Sequence, residues 1–362
     1  MNDKYNIDGH KLQYHPERIA QWHEARTIEE KIDVYPIYVE ISPVGQCNHR
    51  CTFCAVDYIG YVNRSIDTKI LCSAIEDMSR CGVKSLMLAG EGEPMLHKDI
   101  NEIVNFAYRK IDVGFTTNGT RMDEEFRLKS LPCCTFIKIS MNGGTADVYS
   151  KIHQTKVEHF EMVWSNITAA VERKRALNLK VAIGIQCLLL PDNADSIHQL
   201  AKRCWEVGVD YLVLKPYSHK DGSLTTKYRD IKYLDLYDNV ILNAQQFVSS
   251  TFEVIARRKT MEAWDDNNRG YSKCMSTPYL WAYLMSTGDL YACSAHLLEP
   301  EFNLGNINRD SFGEIWSGGK RRALIEKMET FDISVCRRNC RMNAVNKYLD
   351  SIANPGEHVN FI

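Results

Sequence analysis

The chain has 362 residues, 44% of them hydrophobic and 25% charged, with a formal net charge of -2. That length can bury at least one large core, and the near-neutral balance offers no basic face to hold a phosphate backbone. No stretch approaches the roughly 18 uninterrupted apolar residues of a membrane span, and MNDKYNIDGHKLQYH lacks the apolar core of a secretory signal, so we expect no nucleic acid, no membrane and a cytoplasmic location.

Residues 1–36 read as an N-terminal extension. From residue 37, short apolar runs alternate with amphipathic segments: IYVEIS at 37, SLMLAG at 85, VGFTTN at 113, FIKISMN at 136, VAIGIQCLLL at 181 and YLVLKPY at 211. LCSAIEDMSRCG and HFEMVWSNITAAVERKRALN, which lie between them, have helical patterning. This alternation predicts an α/β fold with a parallel sheet. Period-two parity puts Val39, Ile41, Ile137, Ile139, Ile183, Ile185, Cys187, Leu212 and Leu214 against helices. Glu40, Lys138, Ser140, Gln186, Lys215 and Tyr217 then share the opposite, inner face, which needs water or a polar ligand to satisfy it. A plainer reading is that Glu40, Lys138 and Lys215 neutralise one another there.

After Tyr217 the pattern changes. HKDGSLTTKYRDIKYLD is irregular, and YDNVILNAQQFVSSTFEVIARRKTMEAW reads as a helical segment, so a boundary is set near residue 235. TPYLWAYLMSTGDLYACSA reads as a hairpin turning at Ser286–Asp289.

The thirteen cysteines, in a chain with no export signal, read as thiols or metal ligands. Cys72, Cys81, Cys187 and Cys204 stand alone as small hydrophobes, and adjacent Cys133 and Cys134 point to opposite faces if extended. Seven remain: Cys47, Cys51 and Cys54 in CNHRCTFC, then Cys274, Cys293, Cys336 and Cys340. Four thiolates close a tetrahedral zinc or a four-iron cluster, whereas three leave one corner open. His49 lies inside the first interval, where its reach to the same ion is cramped.

CNHRCTFC, with Phe53 before its last cysteine, resembles the signature loop of the radical S-adenosylmethionine (SAM) superfamily. In LMLAGEGEPML, residues 86–96, Gly92, Glu93 and Pro94 match the end of that family's GGEP motif, with Glu91 where the family usually has glycine. The resemblance implies a partial (β/α)6 TIM-like barrel over residues 37–235. It also implies a small C-terminal α+β auxiliary domain of the twitch or SPASM type over 236–362, with the resemblance itself running from about 37 to 345. Three thiolates would hold a 4Fe–4S cluster whose fourth iron is chelated by SAM, and the four C-terminal cysteines one auxiliary 4Fe–4S cluster, though that spacing also suits zinc. Phe53, Gly90, Glu91, Gly92, Glu93, Pro94, Thr117, Asn118, Ser140 and Gln186 are the expected SAM contacts. The family aspartate near Ser140 is here Asn142, so no carboxylate chemistry is assigned there.

The implied chemistry is reductive cleavage of SAM to a 5′-deoxyadenosyl radical that takes hydrogen from a substrate carbon, with a flavodoxin- or ferredoxin-type reductant and oxidation or epimerisation as outcome. Lys215, Tyr217 and Glu40 are the candidate catalytic residues, the first two at the strand end where barrel enzymes place their chemistry. With the first strand at residue 37 and four auxiliary cysteines, a small polar carbohydrate, aminocyclitol or nucleotide-linked sugar is the expected substrate. The alternatives are a ribosomal peptide or protein side chain, or a non-catalytic iron–sulfur or zinc scaffold.

Overall fold

The computed structural model describes residues 4–220, 222–266 and 268–361. Two short helices, α1 (Pro16–Glu24) and α2 (Ile28–Ile32), precede the sheet, and α2 opens on a capping box in which Thr27 and Glu30 satisfy each other's backbone N–H groups. The six apolar runs become β1 (Tyr38–Ile41), β2 (Ser85–Leu88), β3 (Asp112–Thr117), β4 (Phe136–Ser140), β5 (Ala182–Leu188) and β6 (Tyr211–Lys215), all parallel to their neighbours in chain order. Between them lie α3 (Thr68–Arg80), α4 (Ile100–Ala107), α5 (Glu124–Lys129), α6 (Ala146–His153), α7 (Glu158–Ala176) and α8 (Ile197–Val207). The alternation of strand and helix is that of a partial TIM-like barrel, and the parity reading is met. Val39, Ile41, Ile137, Ile139, Ile183, Ile185, Cys187, Leu212 and Leu214 are all fully buried in one core with the helices.

Two features differ from the sequence reading. The stretch read as one helical segment is α9 (Tyr233–Gln245), β7 (Glu253–Ala256) and α10 (Arg258–Asp266), so the expected boundary at residue 235 falls inside α9. Ser249 and Ser250 interrupt the helical pattern, and the β-branched pair Val254 and Ile255 lets β7 extend the sheet beside β6 in parallel register. The hairpin, β8 (Trp281–Leu284) and β9 (Asp289–Tyr291), does not stand apart either. β8 runs parallel to β1, with Tyr38 opposite Trp281, and β10 (Asn303–Asn306) adds to β9, so one sheet has the order β10-β9-β8-β1-β2-β3-β4-β5-β6-β7. The C-terminal helices are α11 (Phe312–Ser317), α12 (Gly319–Met328) and α13 (Asn343–Ala353).

The N-terminal extension crosses this assembly. Leu12, Ile19, Ile32 and Val34 share a core with Tyr279, Leu280, Ile325 and Leu349, while Tyr5 and Ile7 pack on Tyr211, Val213 and Ile255 of β6 and β7. Arg321 of α12 fastens it. This fully buried guanidinium donates to the carbonyls of Lys31, Ile32 and Val34 as well as to those of Pro278 and Trp316. Every one of its polar edges is met, which is what makes a buried charge tolerable.

Candidate active site

The loop carrying Cys47, Cys51 and Cys54 leaves the C-terminal end of β1, the end at which a parallel barrel gathers its chemistry. It turns at Cys51, whose carbonyl accepts from the Cys54 N–H at 3.1 Å. All three are free, half-buried thiols. Burial raises each of them, Cys47 to about 12, and the charges of Cys47 and Cys54 push Cys51 up further. Three thiols that oppose one another's ionisation form a donor set suited to a cationic centre, so the residues fit an iron cluster.

Gly92 has no room for a Cβ, which would lie 2.4 Å from the Val44 carbonyl oxygen and 2.3 Å from that of Gln46. The close approach that demands glycine is therefore to the cysteine loop, where the Glu93 N–H also bonds to Gln46 at 2.9 Å. Glu93 is buried, and its carboxylate receives Thr117 Oγ1 at 2.6 Å, the Asn118 N–H at 2.7 Å and the Met95 N–H at 3.1 Å. Burial nonetheless lifts its pKa to about 7. Pro94 opens the short helical turn that follows. Asn118 donates from Nδ2 to Asn48 in the cysteine loop at 2.6 Å. Of the expected SAM contacts, the side chains of Glu93, Thr117 and Asn118 thus brace the loops against one another. Gly90 sits at a positive φ of 115° against Ser42. Glu91 is turned away, bound to Arg64 and to the Ser286 N–H.

Ser140 and Gln186 are opposite each other in register on β4 and β5, half-buried on the inner face, and have no side-chain partner among the described residues. Phe53 meets His153 edge-on at 5.6 Å. The inner-face charges are arranged differently from the sequence reading. Glu40 accepts from Tyr38 at 3.3 Å and pairs with Arg341 of the C-terminal region, not with a lysine. Lys215 is lowered to about 7 by burial and then by the charges of Lys138, Arg257 and Arg337. Burial and Arg257 likewise lower Lys138 to about 8. Tyr217 lies just beyond the end of β6, and its pKa is raised by burial and then by the charges of Asp57 and Cys54 in the cysteine loop. The strand ends at Lys215, Pro216 follows, and the ring is fully buried against Tyr228 and Trp264 with its hydroxyl donating to the Thr225 carbonyl at 3.4 Å.

Burial first, and then the neighbouring charges of Cys274 and Cys340, raise Cys293 and Cys336 above the usual thiol range, so the four thiols lie close together. The Ala295 N–H donates to Cys293 Sγ at 3.4 Å and Asn346 Nδ2 to Cys274 Sγ at 3.6 Å, polar support of the kind a cluster sulfur needs. The other six cysteines pack in the helix-covered core or against it.

Sequence reasoning gave Asn142 no role beyond its departure from the family motif, and missed His153 and Arg341. Nothing local marks them, because they reach the site across 102 residues in the case of His153 and Cys51 and by joining the C-terminal region to β1 in the case of Arg341. His49, set aside as cramped, is buried with a ring nitrogen near Cys51 and His153, all within 4.8 Å, and its Nε2 lies 3.2 Å from His159 Nδ1.

Residues 41–204 match the model of the Radical SAM superfamily, and residues 274–341 match that of an iron-sulfur cluster-binding domain, SPASM. Among curated proteins, the chain is 28% identical over 147 residues to a probable GTP 3′,8-cyclase of Thermococcus kodakarensis, covering 40% of this chain and 47% of that one. It is 26% identical over 139 residues to the probable GTP 3′,8-cyclase of Methanosarcina mazei, covering 37% and 41%. The match thus spans about half the length of these relatives. Among solved structures, the chain is similar to Streptococcus suis SuiB bound to precursor peptide SuiA, with a TM-score of 0.64 at 17% identity over 91% of this chain and 73% of that one. It is also similar to anSMEcpe with bound AdoMet and Cp18Cys peptide, with a TM-score of 0.56 at 19% identity over 86% and 88%. At these identities the likeness establishes the fold. Among the described residues no helix is long and apolar enough to cross a membrane.

Proposed function

We propose that this chain, a radical SAM enzyme with a C-terminal SPASM iron–sulfur domain, takes a hydrogen atom from a side chain of a peptide substrate. The observation that carries this reading is the length of the fold match. It runs through barrel and auxiliary domain together, over 86% of the chain or more, to enzymes whose structures hold peptides. The small carbohydrate expected from the sequence has no such support.

When bound, the cluster of Cys47, Cys51 and Cys54 and SAM supply the electron and the 5′-deoxyadenosyl radical. The chain's residues do the rest. The Gly90–Pro94 turn, locked onto the cysteine loop through Gly92 and Glu93, would present its backbone carbonyls to the amine of bound SAM. Ser140 and Gln186 offer unpaired polar groups to ligand on the inner face. Lys215 binds an anionic or carbonyl oxygen of the substrate. Cys274, Cys293, Cys336 and Cys340 would hold an auxiliary cluster able to take up the one electron a substrate radical gives up as it loses a proton to solvent, which would make the reaction an oxidation. Support comes from the other cysteines, which pack with the helices and so offer no thiol to return a hydrogen for epimerisation. A groove of about 530 Å³ between Asp8–His10, α10 and α13, with Arg341 and Cys340 in its wall, has room for an extended segment to enter. A flavodoxin- or ferredoxin-type protein serves as reductant.

The lysines favour a second reading, a small anionic substrate such as a nucleotide-linked sugar. Size-separated cell extracts distinguish the two. Anaerobically reconstituted enzyme should form 5′-deoxyadenosine with the peptide fraction and change the mass of a peptide in it. 5′-Deoxyadenosine formed only with the small-molecule fraction would replace the peptide reading with the second.

A further inference from the structure

His153, at the C-terminus of α6, is fully buried, stacked on Tyr149 at 4.3 Å between ring centroids. Its Nδ1 lies 3.3 Å from Cys51 Sγ. Which partner holds the proton follows from the far side of the ring. The backbone N–H of Asn142 can only donate, and it donates to His153 Nε2 at 3.2 Å. In a neutral imidazole, Nε2 therefore keeps its lone pair and the single ring proton sits on Nδ1, facing the sulfur. The Asn142 amide enforces the same arrangement. Its Oδ1 accepts from the Leu188 N–H at 2.6 Å, which fixes the amide's orientation and turns Nδ2 toward His153 Nε2 at 3.2 Å. The result is a directed relay from the β5 backbone through Asn142 and His153 to a cysteine of the cluster loop. The same proton placement stops Nδ1 from being a metal ligand itself.

We propose that His153 is a positioning residue whose Nδ1–H donates to the Cys51 thiolate and raises the reduction potential of the SAM-binding cluster. A hydrogen bond to a cluster sulfur is stronger when the cluster carries one more electron, so it stabilises the reduced state and eases one-electron reduction. The proposal rests on Cys47, Cys51 and Cys54 as cluster ligands and is independent of what the substrate is. Asn142, which departs from the aspartate of the family motif, becomes the residue that fixes the donor's direction.

The test is a redox titration of the reconstituted holoenzyme followed by electron paramagnetic resonance, with the auxiliary cluster as internal reference. His153→Phe keeps the aromatic packing and removes the N–H. Its reduced fraction at a fixed potential should fall roughly tenfold, about 59 mV for a one-electron couple, with iron content and the auxiliary signal unchanged. His153→Asn places an amide N–H where Nδ1 stood and should stay near the parent. Equal potentials in the parent and His153→Phe, or the same drop in both variants, would overturn the proposal. If His153→Phe cannot hold its cluster, pulsed resonance on the reduced parent labelled with nitrogen-15 histidine decides. A histidine nitrogen coupled to the SAM-binding cluster that persists in His49→Phe is expected, and its absence there overturns the assignment without touching that of the cluster ligands.

Discussion

Glu91 accepts a hydrogen bond from the backbone N–H of Ser286 at 2.6 Å while pairing with Arg64 at 2.9 Å, and so ties the glycine-rich turn after β2 to the hairpin of the auxiliary region. Arg64 also donates to Ser286 Oγ at 2.7 Å, closing a three-residue knot. The residue that departs from the family glycine is therefore a joint between the two iron–sulfur regions.

Substituting Glu91 by glutamine keeps its size and removes the charge that both donors meet. Hydrogen bonds to charged groups contribute about 1.5–3 kcal/mol, so a loss of that order is expected, read as a lower midpoint in thermal melting of the anaerobic protein. SAM binding should persist. Unchanged melting together with lost SAM binding would return the carboxylate to the cofactor.

Arg321→Met should be more damaging. It strips a donor from five backbone carbonyls in a buried seam. Val34 keeps Trp316 Nε1 and Lys31 keeps the Val34 N–H, while Ile32, Pro278 and Trp316 lose the arginine, and an acceptor left unsatisfied costs about 1–3 kcal/mol before relaxation or entry of water. We expect at least about 3 kcal/mol in urea denaturation. A loss within about 0.5 kcal/mol, the range of ordinary surface changes, would show that the seam is already wet.

Anaerobically prepared protein should hold about eight irons, four per cluster. Cys51→Ala should abolish SAM cleavage and keep the C-terminal iron. Cys340→Ala should do the reverse, losing the auxiliary cluster and substrate turnover while the first cluster is still reducible. Full turnover by Cys340→Ala would show the auxiliary cluster to be dispensable, and zinc in its place would be seen directly by metal analysis.

What could be read from the sequence divides along physical lines. The six barrel strands and their parity were legible because burial on the helix side imposes a strict period of two, as in Ile137, Lys138, Ile139 and Ser140. The seven cysteines were legible as two groups by their spacing. β7 was not, since a four-residue strand between two helices leaves too short a period to separate from helical patterning. Partners such as Arg341 for Glu40, or Asn142 for His153, were invisible for a different reason. They are chosen by how the chain returns to β1 and β4, and no local pattern encodes that.

Lys215 joins stability to function. Its pKa falls from 10.5 in the unfolded chain to about 7 in the fold. Below about pH 7 both states are protonated and the fold carries the full cost of a buried ammonium. Between about 7 and 10.5 the unfolded chain binds more protons, so stability rises with pH. Lys215→Met keeps the apolar stem and removes this term. The variant should gain most stability over the parent near pH 6, and the advantage should fade as pH approaches the unfolded value. An identical pH profile in both proteins would mean that the ammonium reaches water. The same variant tests the substrate. An anion in the barrel would restore the proton to Lys215, so its removal should cut substrate-dependent turnover by roughly a hundredfold while SAM still binds and slow uncoupled cleavage persists. A Lys215→Met enzyme that shows the stability gain and turns over like the parent would separate the two effects, leaving Lys215 as a strained buried cation that does not touch the substrate.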